Sequence, residues 1–458
     1  MQTSPRIAVI GGGLSGLTTA YRLYQKGYNV HVYEARNRVG GRIFSVLLNE
    51  HIAELGGQNI FDGGEAEHML ALINELGLET EMKRTILQLN YYENGEITNL
   101  KEIARSYHFH PEKLKIELNS AAENAQNMRD VLDLLFADHP MMHNACSTML
   151  AGYEGASPEK LSTKYIVTLY HLLLGGLSSA HQNQESRETV YLNQLVVKGG
   201  NSRLAERLAE LLSGHIALNH ALQSIVLNSD ASYQLNFNNG QSLTADVLIL
   251  TLPCPVYQEV EIDEQIIPLQ RQLNIQRLQY GTTAKILIPI SPNQAKDGAY
   301  TNGRVVTFMN RDNNVLNAYY IKDYGYFSET SIDDLFAKDL PLFRACYGIS
   351  PLSRPVIAID QQFSCYRDPV GHSWLADPYA KGSYSCIGAG QEHLFTDITE
   401  FAEEKVKSLF APIRNTLFFA GEHTSILLDV IGTMESAVES GERTARMVKN
   451  SLDARKAS

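Results

Sequence analysis

With 458 residues, 44% of them hydrophobic and 20% charged, the chain has the make-up of a globular protein holding two or three domain-sized units. Its formal net charge of −12 argues against a nucleic-acid binder that works through a basic surface. The five cysteines, Cys146, Cys254, Cys346, Cys365 and Cys386, are scattered and odd in number, which excludes a disulfide framework or a C-x-x-C zinc site and points to free thiols.

The opening MQTSPR does not read as a signal peptide, and no apolar run approaches the length of a membrane span. A cytoplasmic protein without a membrane anchor is expected, either monomer or homodimer. The first element is an apolar strand, residues 7–10, of the kind a buried parallel sheet shows. Gly11, Gly13 and Gly16 follow at G-x-G-x-x-G spacing. A helix is expected over 15–26 with Gly27 to stop it, then a strand over 28–33 ending in Glu34. In this arrangement Gly11 permits a tight turn, Gly13 lets backbone approach a pyrophosphate, and Gly16 lets helix and strand pack closely. The helix start, at Leu14 and Ser15, offers free N–H groups and a partial positive charge. Glu34 lies about twenty residues on, where an acid takes ribose hydroxyls. Next comes Arg36-Asn37-Arg38-Val39-Gly40-Gly41-Arg42, forked donors beside open backbone and suited to a second pyrophosphate contact. Glu54-Leu55-Gly56-Gly57-Gln58 precedes a helix expected over 65–76.

Residues 111–136 and 158–174 read as amphipathic helices. The histidines of this region, His108, His110, His139, His143, His171 and His181, lack spacings that place two metal ligands on one helix face, so no metal is expected. Gly199-Gly200-Asn201-Ser202 opens another helix, followed by strands at 216–218, 221–227 and 233–237, a turn at Asn238-Asn239-Gly240, and an apolar strand at 247–251. A strand over 284–290 carries Lys285 among apolar neighbours. Because burying an ammonium is costly, such a lysine either faces solvent or is kept for a purpose. Later come Trp374-Leu375-Ala376-Asp377-Pro378, Gly382-Ser383-Tyr384-Ser385, a strand at 417–421, Glu422, and a last helix from about Thr433.

Taken together, E-A-R-x-R-x-G-G-R at 34–42, E-L-G-G at 54–57, G-G-x-x-x-L at 199–204, W-x-x-D-P-x-x-x-G-S-Y-S at 374–385 and G-T-M-E-S-A at 432–437 resemble the flavin-dependent amine oxidase superfamily over nearly the whole length. The resemblance implies an α/β fold: a Rossmann-like FAD-binding domain of the glutathione-reductase kind, with a discontinuous α+β substrate domain. FAD binding is expected from 1–77, 194–261 and 378–458, and the substrate domain from 78–193 (mostly helical) and 262–377. The implied FAD contacts are Gly11, Gly13, Leu14, Ser15, Gly16, Glu34, Ala35, Arg36, Gly41, Arg42, Gly56, Gly57, Gln58, Leu222 (through its backbone, at adenine), Gly421, Glu422, Thr433 and Met434. The resemblance makes Lys285 the lysine that holds a water at flavin N5, and Tyr384 an aromatic wall of the amine site. The second wall would be Thr433, so the aromatic sandwich of monoamine oxidases is half absent. Ser383 stands where those enzymes carry a flavin-linking cysteine, so FAD should be bound without a covalent bond. The implied activity is oxidation of a small-molecule amine, with O₂ as acceptor and H₂O₂ released. An L-amino-acid oxidase, which needs an arginine such as Arg84 or Arg311 for the carboxylate, remains an alternative. So do a flavin-dependent desaturase or isomerase of a lipid and a flavoprotein without catalysis.

Overall fold

In a computed structural model, which describes residues 4–60, 66–86, 89–99, 110–175, 191–291, 298–310, 314–349 and 353–457, the strand Ile7–Ile10 lies in the middle of a five-stranded sheet. Its neighbours are Val30–Tyr33 on one side and Val247–Leu250 on the other, with Ile216–Ala217 and Leu417–Phe419 at the edges. All four pairings are parallel. The apolar run has a simple cause. Ile7 and Val9 enter a core with the first and last helices, while Ala8 and Ile10 enter a second core with Tyr233, Leu235 and Phe237. A strand buried on both faces cannot alternate polar and apolar residues.

The first helix, Leu14–Gln25, closes where Gly27, at φ +80°, donates its N–H to the Tyr24 carbonyl at 2.9 Å. It packs against the last helix, Met434–Ala457, at a close crossing. A side chain at Gly441 would stand 2.7 Å from the Ser15 carbonyl oxygen and 2.9 Å from Thr18 Cβ, so glycine is what allows the approach. The hairpin expected at Asn238–Gly240 joins Tyr233–Phe237 to Ser242–Ala245, with Gly240 at φ +80°.

A second sheet has eight strands in the order Val356–Ile357, Val370–Ser373, Ala284–Pro289, Val315–Tyr320, Val305–Asn310, Ala299–Thr301, Leu89–Glu93 and Glu96–Asn99. The helix Ile332–Tyr347 covers it through Phe336, Leu342 and Phe343. Four helices, Pro111–Glu123, Met128–Phe136, Pro140–Glu154 and Ile166–Gly175, share a further core around Leu132, Cys146, Leu150 and Leu169.

The expected helix over 111–136 is therefore two helices. The Asn127 side chain accepts from the N–H groups of Arg129 and Asp130 at 2.9 and 3.1 Å, a cap that starts a new helix. The expected helix over 158–174 begins as short 3₁₀ turns and becomes α-helical only at Ile166. Helix Pro140–Glu154 and the strands Thr80–Ile86, Leu89–Glu93 and Glu96–Asn99 add to what was read from the sequence.

Distant parts of the chain are joined by a buried ion-pair group. Arg36 meets Asp377 at 2.5 Å and Asp360 at 3.0 Å, and Arg38 meets Asp360 at 2.6 Å. His372 approaches the other Asp377 oxygen at 3.2 Å. Arginines 36 and 38 and His372 are held near this pair of carboxylates, and Asp377 is kept well below the usual carboxylate range. Burial opposes ionisation there, but His372 and Arg36 outweigh it. Removing one partner of a buried pair leaves an uncompensated charge, a loss of about 3–5 kcal/mol. Asp377→Ala is accordingly expected to lower the thermal unfolding midpoint by several degrees at neutral pH, whereas the exposed pair Lys198–Glu79 should be removable without measurable effect. Equal midpoints for Asp377→Ala and the parent protein would refute the assignment.

Candidate active site

The chain turns at Gly11, φ +112°, directly after the central strand. A Cβ at Gly11 would collide with Thr251 Oγ1, and one at Gly16 would collide with the Gly11 carbonyl oxygen. At Gly13 nothing lies within 4 Å of where a side chain would stand. Gly13 begins the helix with no side-chain cap, and the first helical bond runs from Leu17 N–H to the Gly13 carbonyl at 2.9 Å. The N–H groups of Leu14, Ser15 and Gly16 thus stand at a helix start beside open space, where an anion is favoured.

Glu34 ends the second strand, buried at 5% exposure. Its carboxylate accepts from Gly12 N–H at 2.5 Å and Arg36 N–H at 2.9 Å. Burial raises its pKa, against these two amides and the Arg36 and Arg38 charges. Ala35, half-buried, leads into Arg36. The Glu34 carbonyl accepts His220 N–H at 2.8 Å, which places the start of strand Leu222–Leu227 nearby; Leu222 stands at a bulge opposite Phe237, and Phe237 stacks on Tyr33.

Two more glycine segments stack on this turn. Gly40 N–H donates to the Gly12 carbonyl at 2.9 Å, and a Cβ at Gly41 would lie 3.2 Å from Gly13 Cα. Gly57 N–H donates to the Arg42 carbonyl at 3.0 Å, and a Cβ at Gly56 would collide with that same carbonyl. Met434, at the start of the last helix, covers Gly57, with Sδ 3.3 Å from the absent Cβ.

Arg36 donates Nη1 to Asp360 and Nη2 to Asp377, while Arg38 donates Nε to Asp360 and Nη1 to the carbonyls of Val39, Gly41 and Ile43, its buried Nη2 having no partner among the described residues. Arg42 instead donates Nη1 to the Ser383 carbonyl and to Glu422 Oε1, both at 2.9 Å. Glu422 also accepts from Ser385 N–H at 3.2 Å and Ser385 Oγ at 2.5 Å. Burial would raise the Glu422 pKa, but Arg42 and the hydrogen bonds hold it below the ordinary value. Gly421 precedes it at φ +132°, its N–H donating to Ser440 Oγ at 3.1 Å.

Lys285 is 5% exposed and does not face solvent. Its Nζ donates to the carbonyls of Glu54 and Gly56 at 3.0 and 2.8 Å and to Gln58 Oε1 at 3.1 Å. The ammonium therefore clamps the whole E-L-G-G stretch from the neighbouring sheet. Tyr319, its cross-strand partner, presents its ring 5.8 Å from Nζ. The Tyr319 hydroxyl donates to Thr283 Oγ1 at 3.1 Å and lies 3.4 Å from the Tyr384 hydroxyl. The Tyr384 ring lies between two glycines, 2.7 Å from a Cβ at Gly155 and 3.0 Å from one at Gly432. Its hydroxyl donates to the Tyr153 carbonyl at 3.1 Å. Thr433 acts as a helix cap. Its Oγ1 donates to the Val430 carbonyl at 2.6 Å and accepts from Ser436 N–H at 3.3 Å, while Ser436 Oγ accepts from Thr433 N–H at 3.1 Å.

The structure thus brings Lys285, Gly56–Gln58, Met434 and Tyr384 to one place. Tyr319 and Gly155 belong there too and were not singled out from the sequence. Tyr319 could have been found only by knowing that its strand pairs with that of Lys285 in this register. Arg84 lies on the strand Thr80–Ile86, and Arg311, His108 and His181 fall outside the described residues. Among the described residues no cluster of His, Cys, Asp and Glu has metal-binding geometry, and no helix is long and apolar enough to cross a membrane.

The chain is similar to known proteins over nearly its whole length. Residues 14–449 match the family model described as flavin containing amine oxidoreductase. A probable flavin-containing monoamine oxidase A of Dictyostelium discoideum is 23% identical, with 99% of each chain covered. Mouse L-amino-acid oxidase is 24% identical over 97% of this chain and 71% of its own length. Against a plant lysine-specific histone demethylase 1 homolog from rice, at 24% identity, the chain spans 57% of the relative's length. Among solved structures, putrescine oxidase bound to putrescine has a TM-score of 0.70 at 17% identity, covering 97% of this chain and 98% of that one. Cyclohexylamine oxidase from Brevibacterium oxydans also has 0.70 at 17% identity, covering 99% of this chain and 100% of that one.

Burial pushes the Lys285 pKa down from 10.5 to about 8, with Glu54 opposing the shift. Folding therefore disfavours the charged lysine. That cost is fully present below about pH 8 and is relieved as pH rises toward the unfolded value. Stability of the parent protein relative to Lys285→Met is expected to rise between pH 8 and 10, by about 1.4 kcal/mol for each pH unit at most. Urea unfolding at several pH values checks this, and a pH-independent difference would contradict it.

Proposed function

The chain belongs to the flavin-containing amine oxidoreductase family, and from that premise we propose that it is an amine oxidase binding FAD without a covalent bond, with O₂ as acceptor. The observation that carries the reading is Lys285. It is a buried lysine that clamps Glu54–Gln58 and stands beside Tyr319 and Tyr384. The residues fit FAD: open space at Gly13, a helix start without a side-chain cap, a buried acid at the end of the second strand, and a second glycine pair on top. Bound FAD would supply the redox chemistry, taking a hydride from the carbon that bears the amine nitrogen and passing the electrons to O₂.

The chain's own residues do the rest. Gly11–Gly16 and Gly40–Arg42 hold the pyrophosphate, Glu34 the adenosine ribose, Leu222 the adenine through its backbone, and Glu422 the ribityl chain. Gly56–Gln58 and the helix start at Thr433–Met434 frame the flavin ring. Tyr384 packs against the amine and orients it. Lys285 keeps a positive charge beside the site, which stabilises negative charge passing toward O₂. The imine product hydrolyses to a carbonyl compound and ammonia or a smaller amine.

We read the parallel sheet as Rossmann-like, of the glutathione-reductase kind. Every strand of it falls in 1–77, 194–261 or 378–458, and every strand of the eight-stranded sheet falls in 78–193 or 262–377. This supports assigning FAD to the first set and the amine to the second. An L-amino-acid oxidase is the weaker reading. It calls for an arginine after the E-L-G-G-like stretch, whereas Gln58 there is bonded to Lys285.

A peroxide-release screen over monoamines, polyamines and L-amino acids tests the function. Turnover of amines is expected, with Lys285→Met slowing reoxidation of the reduced flavin about ten-fold or more in stopped flow, equivalent to about 1.4 kcal/mol in barrier. Peroxide from L-amino acids alone would overturn the amine reading. For the linkage, acid precipitation should leave yellow flavin in the supernatant, since Ser383 has no thiol to bond it; a yellow pellet would refute non-covalent binding.

A further inference from the structure

Behind Glu422 lies a set of buried titratable groups to which the proposed reaction gives no task. Lys407 ends the strand Glu404–Lys407 and is wholly buried. Its Nζ donates to the His423 carbonyl at 2.9 Å and sits 4.7 Å from the Phe395 ring centroid. His423 is itself buried, and its Nδ1 lies 3.0 Å from the Tyr280 hydroxyl. That hydroxyl also accepts from Cys254 N–H at 3.3 Å. On the other side the Tyr280 ring lies 5.6 Å from the Arg42 guanidinium carbon. The turn Glu422–Thr424 is thus fixed by Arg42 and Ser385 in front and by Tyr280 and Lys407 behind.

A wholly buried ammonium with one carbonyl partner and an aromatic face is costly, and an apolar residue would fill the space at less cost. We propose that Lys407 is a positioning residue for the cofactor site, a positive charge behind the Glu422–Thr424 turn that strengthens binding of the anionic FAD. This rests on the FAD reading above. The charged and titratable groups that act on Lys407 are Glu422 on the turn, Arg443 and Glu439 on the last helix, and Cys254. Glu439 is paired with Arg443 at 2.7 Å, so their charges largely cancel. Burial holds His423 neutral, down to about 3, so the turn's own imidazole adds no charge. Burial also lowers Lys407 to about 7, with Glu422 opposing. Lys407 is therefore charged below neutrality and loses its charge above it.

The test is FAD titration of the deflavinated protein, followed by flavin fluorescence from about pH 6 to about pH 9, for the parent and for Lys407→Met. The parent is expected to bind FAD about ten-fold more tightly at the acid end, a difference of about 1.4 kcal/mol. The variant should lose that extra acid-side tightening and show a shallower profile, keeping only the dependence that Lys285, lowered to about 8, contributes in the same window. Lys407→Gln, which keeps a donor and lacks the charge, carries the same expectation and serves if the methionine variant does not fold. A purely structural lysine would change thermal stability and leave the profiles parallel, and parallel profiles overturn the proposal. A parent protein that takes up no FAD at any pH overturns the FAD reading itself, whereas tight FAD binding with parallel profiles overturns only the role of Lys407.

Discussion

The site depends on backbone meeting backbone with no side chain between. Three glycine segments from one end of the chain are layered: Gly11–Gly16, then Gly40–Gly41, then Gly56–Gly57, each joined to the one before by a main-chain hydrogen bond or a contact that a Cβ would block. The layers leave open space beside Gly13 and put a helix start next to it. Everything else keeps them in register. Lys285 grips the third layer from the neighbouring sheet, Met434 covers it, and Arg42 anchors the strip between the second and third layers to Glu422.

This arrangement explains why the start of the chain was readable. An apolar strand buried on both faces, glycines at fixed spacing and a helix with one apolar face are local consequences of burial, and local patterns survive in a sequence. The last helix was readable for the same reason. The partners of Arg36 were not, because its carboxylates lie 324 and 341 residues away. From the sequence alone, the forked donors look free for a ligand. In the fold they close an ion-pair group inside the protein.

Other misses had different causes. The break near residue 125 was hidden because apolar spacing continues across it, while Asn127 supplies a new cap. The hairpin of Leu89–Glu93 and Glu96–Asn99 did carry a signal. Asn94 and Gly95 both adopt positive φ, 51° and 91°, the conformation that Asn-Gly favours in two-residue turns. Tyr319 belongs to yet another class. Its type suits a strand, and only the antiparallel register opposite Lys285 gives it a place in the site.

The sheet order has a consequence for how the protein is made. The central strand Ile7–Ile10 leaves the ribosome long before Val247–Leu250 and Leu417–Phe419, which its sheet needs, and before the close crossing at Gly441 that its helix needs. The nascent chain must therefore carry the glycine layers for most of its synthesis without the elements that hold them. Such long-range closure is slow and leaves apolar strand edges exposed to other chains. The glycine layers are complete only once Leu417–Phe419 and the helix that carries Gly441 have been made.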